Sequence, residues 1–269
     1  MAGTGMRRLD GKTILITGGA RGQGEAEARM FCEEGASVII ADVLDEEGAA
    51  VEASLCSQGH RCLYRHLDVS DPAEWASLAA AISGWSGALH GLVNNAGILN
   101  RTGIMGTSVD RWNRVVSVNL TGAFLGMQAM APLMRDSGGG SVVNIASVAA
   151  YAGHNDPAYA GTKAGLLGLT RTAAMEFVDW NIRVNAISPG IIVTGLNAGG
   201  AHLEPWRRAT PLGRYGRIEE AAKLVLFLLS DDASFITGED IAVDGGFKAG
   251  GAARRVSIEA GIDLTGSAS

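Results

Sequence analysis

The chain has 269 residues, 47% of them hydrophobic and 19% charged, with a formal net charge of −6 and a pI near 5.4. A chain of this length buries roughly three quarters of the surface its unfolded form exposes, so it needs no staples. The acidic balance, without a basic run or an interleaved aromatic patch, excludes a nucleic-acid binder. No apolar run is long enough to span a membrane, and Met1 to Asp10 lacks the apolar core of a signal peptide. A soluble, cytoplasmic protein is expected. Cys32, Cys56 and Cys62 have no metal-like spacing and leave an odd one over, which favours reduced thiols. His60, His66, His90, His154 and His202 show no ligand spacing either, so no metal site is expected.

In chain order, Thr13 to Thr17 reads as a short buried strand, followed by Gly18-Gly19-Ala20-Arg21-Gly22-Gln23-Gly24 and a helical pattern to Glu34. Strand, glycine loop and helix in that order make a phosphate-binding turn. Gly18 permits the tight turn, Gly22 the approach of a pyrophosphate, and Gly24 close packing of helix on strand. The next strand, Ser37 to Ala41, ends at Asp42, an acidic residue at the spacing that accepts hydrogen bonds from a ribose 2′-hydroxyl and repels a 2′-phosphate. The competing reading makes Asp42 a helix cap, although Asp45 and Glu46 can fill that role. A helix is expected from Glu46 to Gln58, a strand from Arg61 to His66, and a helix capped by Asp71 with Pro72 just inside it. Leu89 to Val93 is the fourth strand, closed by Asn94-Asn95-Ala96-Gly97, and one long helix from Val109 to Met134 carries Asn119. Strands at Ser141 to Ala146, Ile182 to Ile187 and Asp240 to Val243, with a helix at Ile218 to Leu229, complete the alternation. Such βαβ repetition predicts an α/β fold: one Rossmann-like, doubly wound parallel sheet in a single domain over 1–269. Its core spans about 9–248, and 249–269 forms a small-residue tail that is loosely held or reaches a neighbouring subunit.

The segment from Ser147 to Lys163 carries the chemistry. Pro157 suits a helix start, with Asp156 or Asn155 as its N-cap. Tyr159 and Lys163 then stand four apart on one helical face. A positive charge roughly 4 Å from a phenol, at an effective dielectric near 20, favours the phenolate by about 4 kcal/mol. That suffices to bring the tyrosine from about pH 10 toward neutrality, where acid–base catalysis works best. Ser147 projects from the end of the strand before it. The plain alternative is an amphipathic helix with a surface Tyr and Lys.

Thr17-Gly18-x-x-x-Gly22-x-Gly24, Asn94-Asn95-Ala96-Gly97, Asn119, Ser147 and Tyr159-x-x-x-Lys163 occur together and in order. As a set they resemble the single-domain short-chain dehydrogenases/reductases over about residues 9–248. The stretch Ala41 to Ala50 also looks like the bacterial hydroxysteroid dehydrogenases of that family. The resemblance implies an oxidoreductase in which Tyr159 is the general acid/base, Ser147 holds and polarises the substrate oxygen, and Lys163 lowers the tyrosine pKa and binds the nicotinamide ribose. It implies that Asn119 anchors a water joining Lys163 to solvent. Gly18, Arg21, Gly22, Gln23 and Gly24 would form the cofactor turn, with Asp68 and Val69 at the adenine. Asn95, Ala96 and Gly97 would lie beside the adenosine ribose, and Pro189, Gly190, Ile192 and Thr194 at the carboxamide. Ala146 replaces a serine often found before the catalytic one. Arg21 lies where NADP-preferring members often carry a base, against Asp42.

The expected cofactor is NAD (NADH), and the expected reaction interconverts a hydrophobic secondary alcohol and its ketone: a hydroxysteroid, a cyclic alcohol or an aryl alcohol. Leu196, Leu203, Trp206 and Pro211 make the segment Gly195 to Arg214 a partly apolar, mobile cover over that small-molecule substrate. His154, between Ser147 and Tyr159, is a candidate for the substrate pocket. Two rivals are a ketoacyl-carrier reductase using NADP and a non-catalytic dinucleotide sensor, which would be expected to lose Tyr159 or Lys163. Enoyl reductases of the superfamily place lysine seven after tyrosine, and positions 158 and 166 hold Ala and Leu. A homotetramer is expected, with Leu166, Leu167, Leu169, Val225, Phe227 and Leu228 as apolar residues beyond one core-facing stripe.

Overall fold

The computed structural model describes residues 7–193, 199–200 and 203–262. Within these, seven parallel strands form one sheet in the order β3-β2-β1-β4-β5-β6-β7: β1 (Thr13–Thr17), β2 (Ser37–Asp42), β3 (Cys62–His66), β4 (Gly91–Asn94), β5 (Gly140–Ile145), β6 (Ile182–Pro189) and β7 (Asp240–Val243). All five residues of β1 are buried, as a strand covered on both faces requires. Side chains alternate between the two faces. Ile14, Ile16, Val38 and Ile40 pack with Phe31 of α1 (Gly22–Glu33), Leu55 of α2 (Asp45–Ser57) and Val225 of α8 (Ile218–Leu229). Leu15, Ile39 and Leu92 pack with Trp75 of α3 (Pro72–Trp85), Met130 of α5 (Gly122–Asp136) and Phe177 of α6 (Pro157–Phe177). Each such aliphatic side chain, taken fully out of water, contributes roughly 1.5–3 kcal/mol.

Because the strands are parallel, their C-terminal ends share one edge. The order reverses between β1 and β4, which opens a crevice there. Thr17, Asn94 and Ile145 end adjacent strands at that edge.

Three features depart from the sequence reading. The expected single helix is α4 (Val109–Val116) running through a π-turn, Ser117–Thr121, into α5. Such a turn admits an extra residue, and proteins place it where a side chain must be re-aimed; here it carries Asn119. Of the tail expected over 249–269 to be loosely held or to reach a neighbouring subunit, residues 249–259 lie in a helix, α9 (Phe247–Glu259), bent at Gly250. It packs on a further helix, α7 (Leu203–Ala209), through Phe247 and Trp206, whose rings lie 4.8 Å apart. Small residues at 249–253 had suggested loose chain, but Gly251 is what permits close approach, since a Cβ there would collide with the Ala209 carbonyl. Finally, Leu166, Leu167, Val225 and Leu228 are buried, and Leu169 and Phe227 pack partly buried against the core, so these six form no apolar surplus. The exposed apolar side chains on α5 and α6 are Phe124 and Met175.

Candidate active site

The glycine turn is built by its neighbours' side chains. Thr17, 1% exposed, ends β1, and its Oγ1 accepts from the N–H groups of Asn95 and Ala96, both at 3.1 Å. The Asn95 amide returns two bonds, donating to the carbonyls of Thr17 and Gly18 at 3.0 Å each. Gly18 has φ +66°, and a Cβ there would lie 2.9 Å from Ala96 Cα. A Cβ at Gly24 would lie 2.7 Å from Asn95 Nδ2, so helix, turn and β4 loop are in contact. Gly22, φ +62°, has open space before it. Helix α1 begins after Arg21 with no side-chain cap, so its first N–H groups face that space without a protein acceptor from the cap. Gln23 turns away and donates to Glu27 at 2.9 Å.

Asp42 closes the turn from the end of β2. One carboxylate oxygen accepts from Ala20 N at 3.1 Å and the other from Leu44 N at 3.2 Å. Asp68 is held within its own turn: Oδ1 accepts from Ser70 and Oδ2 faces the Arg114 guanidinium at 3.3 Å. The Ser70 hydrogen bond holds its carboxyl below the usual range against partial burial, with Arg114 adding to the effect. Val69 packs its side chain against Gly122, and its carbonyl accepts from the Trp75 indole at 2.9 Å. On the far side Gly190 approaches Asp244 closely, and Ile192 bridges to Gly216 beyond β6. Thr194 and Leu196 lie outside the described residues.

Opposite the turn, α6 opens at Pro157 with Asp156 as its N-cap, the Oδ1 accepting from Tyr159 N at 3.0 Å. Tyr159, Lys163, Ser147 and Asn119 come together there. Ser147, in extended backbone after β5, lies beside the Tyr159 hydroxyl, and its Oγ accepts from Ala149 N at 3.2 Å. Lys163 is 4% exposed and its Nζ, 5.6 Å from the Tyr159 ring centroid, donates to the Ile145 carbonyl. Asn119, 2% exposed, clamps the backbone of Ile98, accepting from its N at 2.8 Å and donating to its O at 2.9 Å. A Cβ at Gly97 would stand 3.5 Å from Asn119 Oδ1 and 3.7 Å from Lys163 Nζ, so the loop after β4 passes close to both. His154 lies beside Tyr159 with ring centroids 5.4 Å apart, and its Nδ1 accepts from Asp156 N at 3.1 Å.

The electrostatics correct one expectation. Burial pushes the Tyr159 phenol above its ordinary pKa; the neighbouring Ser147 hydroxyl offsets part of this, and the Asp156 carboxylate adds to the rise. Burial also pushes Lys163 down to about 8. The Lys163 ammonium bonds the Ile145 carbonyl and does not outweigh the effect of burial on the phenol. Sequence spacing gives adjacency on a helix, but it cannot show which acceptor the lysine reaches.

Two buried supports were not singled out from the sequence. Thr17 was quoted as part of a motif without a role. Asn94 donates to Asn144 at 2.8 Å, and Asn144 donates to Thr170 of α6 at 2.9 Å, a chain beneath the site joining β4, β5 and α6. Polar residues inside otherwise apolar strands were the available signal, because buried amides require partners.

Comparison with known proteins fits this geometry. The family model described as Enoyl-(Acyl carrier protein) reductase matches residues 18–248. A trans-4-hydroxycyclohexanecarboxylate dehydrogenase of Sinomonas cyclohexanicum is 42% identical over 250 residues, covering 90% of this chain and 95% of its own. A 3-alpha-(or 20-beta)-hydroxysteroid dehydrogenase of Mycobacterium tuberculosis is also 42% identical, over 252 residues, covering 90% and 92%. Among solved structures, a gluconate 5-dehydrogenase from Burkholderia cenocepacia in complex with NADP and tartrate superposes with a TM-score of 0.86 at 32% identity, covering 91% and 98%. The chain belongs to the short-chain dehydrogenase/reductase family and is an oxidoreductase of that family.

Proposed function

We propose that the protein is an NAD(H)-dependent dehydrogenase that interconverts a cyclic secondary alcohol and its ketone. The observation that carries this reading is the Tyr159 phenol, with Ser147 beside it and Lys163 and Asn119 behind it, across one crevice from an uncapped helix N-terminus. The residues of the turn suit a dinucleotide: Gly18 and Gly24 leave no room for a Cβ, Gly22 faces open space, and free N–H groups at a helix start favour a pyrophosphate. A nicotinamide dinucleotide held by the glycine turn would supply hydride transfer at the carbinol carbon. Tyr159 takes the hydroxyl proton during oxidation and returns it during reduction. Ser147 donates to the substrate oxygen as charge develops on it. The positive charge of Lys163 favours the phenolate and so sets the pH at which oxidation begins. His154 walls the pocket beside the phenol.

Tyr159 and Lys163 stand four apart, which opposes an enoyl reductase despite the description of the matching model. The names of the two curated relatives point to alicyclic and steroidal alcohols. For the cofactor, the Asp42 carboxylate at the end of β2 supports NAD: a 2′-phosphate about 4 Å away would be repelled by roughly 4 kcal/mol at an effective dielectric of 20. Arg21 is exposed and opposes that preference in part. The NADP-bound relative makes this a question for experiment. Exposed Phe124 and Met175 on α5 and α6 support a homotetramer, free Cys32, Cys56 and Cys62 support a reducing, cytoplasmic setting, and no helix among the described residues is long and apolar enough to cross a membrane.

The test is oxidation of cyclohexanol, trans-4-hydroxycyclohexanecarboxylate and a hydroxysteroid with NAD and with NADP. Turnover of a cyclic alcohol with at least about tenfold higher kcat/KM for NAD is expected, and Asp42→Ala should narrow that ratio. No reduced dinucleotide with any of these alcohols would overturn the substrate class. Equal use of NADP would overturn the role given to Asp42.

A further inference from the structure

Asp156 is a fully buried carboxylate that no part of the proton transfer uses. Its two oxygens serve different elements. Oδ1 accepts from Tyr159 N at 3.0 Å and caps α6, while Oδ2 accepts from the backbone N–H groups of Asn100 and of Arg101, the latter at 2.9 Å. Arg101 has φ +60°, a left-handed conformation that residues with a Cβ seldom adopt. That backbone persists only where its surroundings fix it. The other end of the same loop is fixed by Asn119, which clamps Ile98 on both its N–H and its carbonyl. The Asp156 backbone also takes part, its N–H donating to His154 Nδ1 and so holding that ring beside Tyr159. One residue thereby ties the start of the catalytic helix, the histidine beside the phenol and the loop after β4. A single helix cap needs only one oxygen. The second, engaged with a strained loop, has no local reason to be there.

We propose that Asp156 is a positioning residue that holds the 98–101 loop against the start of the Tyr159 helix and so fixes the wall of the substrate site. This rests on the reading of Tyr159 as the acid–base group. The groups around the phenol are Ser147 at the end of β5, Lys163 and Asp156 on α6 and at its start, His154 in the preceding loop, and Asn119 from the π-turn. Asp156 is the acidic one among them. Replacing it with a neutral acceptor therefore alters both loop and charge while leaving the acid–base group itself in place.

Asp156→Asn in the full chain separates these roles. Asparagine is as good an N-cap as aspartate, but it has one acceptor oxygen, and its NH2 cannot accept from Asn100 or Arg101. The expected result is amide hydrogen exchange at Asn100 and Arg101 faster by about tenfold or more, with the Tyr159 and Ala160 amides still protected. In turnover, the alcohol KM should rise by about tenfold while the KM for NAD is unchanged. Loss of the negative charge lowers the phenol pKa, so the rise of the oxidation rate with pH should move to lower pH. A helix cap alone would move neither the alcohol KM nor the exchange at 100 and 101, whereas the pH shift follows from the lost charge in either case. Asp156→Ser, which retains a capping oxygen on a shorter arm, should reproduce the exchange change if the asparagine variant folds poorly. Unchanged exchange at 100 and 101 together with an unchanged alcohol KM would overturn the proposal. The exchange result stands whether or not Tyr159 is the acid–base group, so failure of that reading is distinguishable.

Discussion

The two sides of the crevice are held together in opposite ways. Around the glycine turn the side chains face inward: Thr17, Asn95 and Asp42 bond backbone groups of the turn and of its neighbours, and what faces the crevice is N–H groups and space. Across it the backbone is occupied by β5 and α6, and the proposed reacting groups are side chains, those of Ser147, Tyr159 and Lys163. They are placed in turn by Asp156, Asn119 and the Asn94–Asn144–Thr170 chain. A site built of backbone is changed by breaking the fold around it. A site built of side chains is changed by altering one group. Substitutions on the turn side should therefore change stability, and those on the Tyr159 side should cost rate.

The largest effect that would sharpen this contrast is at Lys163. Lys163→Met should lower alcohol oxidation by at least about a hundredfold. Its melting temperature at pH 7 should be no lower than wild type, because the buried ammonium has its pKa depressed to about 8 by burial. The folded value lies below the unfolded one of about 10.4, so the unfolded chain holds more protons between those two values. Wild type accordingly gains stability as pH rises through that window, and the advantage of the methionine variant should shrink there. A large loss of stability at pH 7 would break the contrast.

On the turn side, Glu27 is fully buried in α1, and burial raises its pKa to about 8, only partly offset by Gln23. Its Oε2 has no hydrogen-bond partner. The folded value exceeds the unfolded one of about 4.3, so its contribution to stability is complete below that value and is lost as pH rises toward 8. Glu27→Gln cannot titrate. Denaturant melts at pH 5 and pH 8 should show its advantage over wild type growing by about 3 kcal/mol. An equal difference at both pH values would mean that the carboxyl is not buried as described.

A smaller stability effect is expected at Asn95. Asn95→Ala removes both amide bonds to the turn and should destabilise by about 2 kcal/mol, a melting shift of about 4–8 °C. Its kcat should change little. A variant as stable as wild type but slow would place Asn95 among the reacting groups.

Much of the sheet was legible because parallel strands buried on both faces read as short apolar runs, and the bounds of β1, α8 and β7 match their hydrophobic patterns. What escaped was long-range. Helix α9 is rich in glycine, alanine and arginine and has no strong apolar stripe, so its packing on Trp206 could not be anticipated. Asn95 and Asp68 were read as cofactor contacts from their motif positions; Asn95 also bonds Thr17, 78 positions away, and Asp68, held by Ser70 in its own turn, also faces Arg114, 46 positions away. Asp156 was legible as a cap. Its hold on Asn100 and Arg101 spans 56 and 55 residues and is invisible to local spacing.

The central claim, that Tyr159 moves the substrate proton from a site that binds the dinucleotide independently, is tested most directly by Tyr159→Phe. Turnover of the best cyclic alcohol and binding of NADH, followed by its fluorescence, would be measured on the same preparation. Turnover should fall by at least about a hundredfold while the Kd for NADH stays within about twofold of wild type. A phenylalanine variant that keeps more than about a tenth of the wild-type rate would contradict the account.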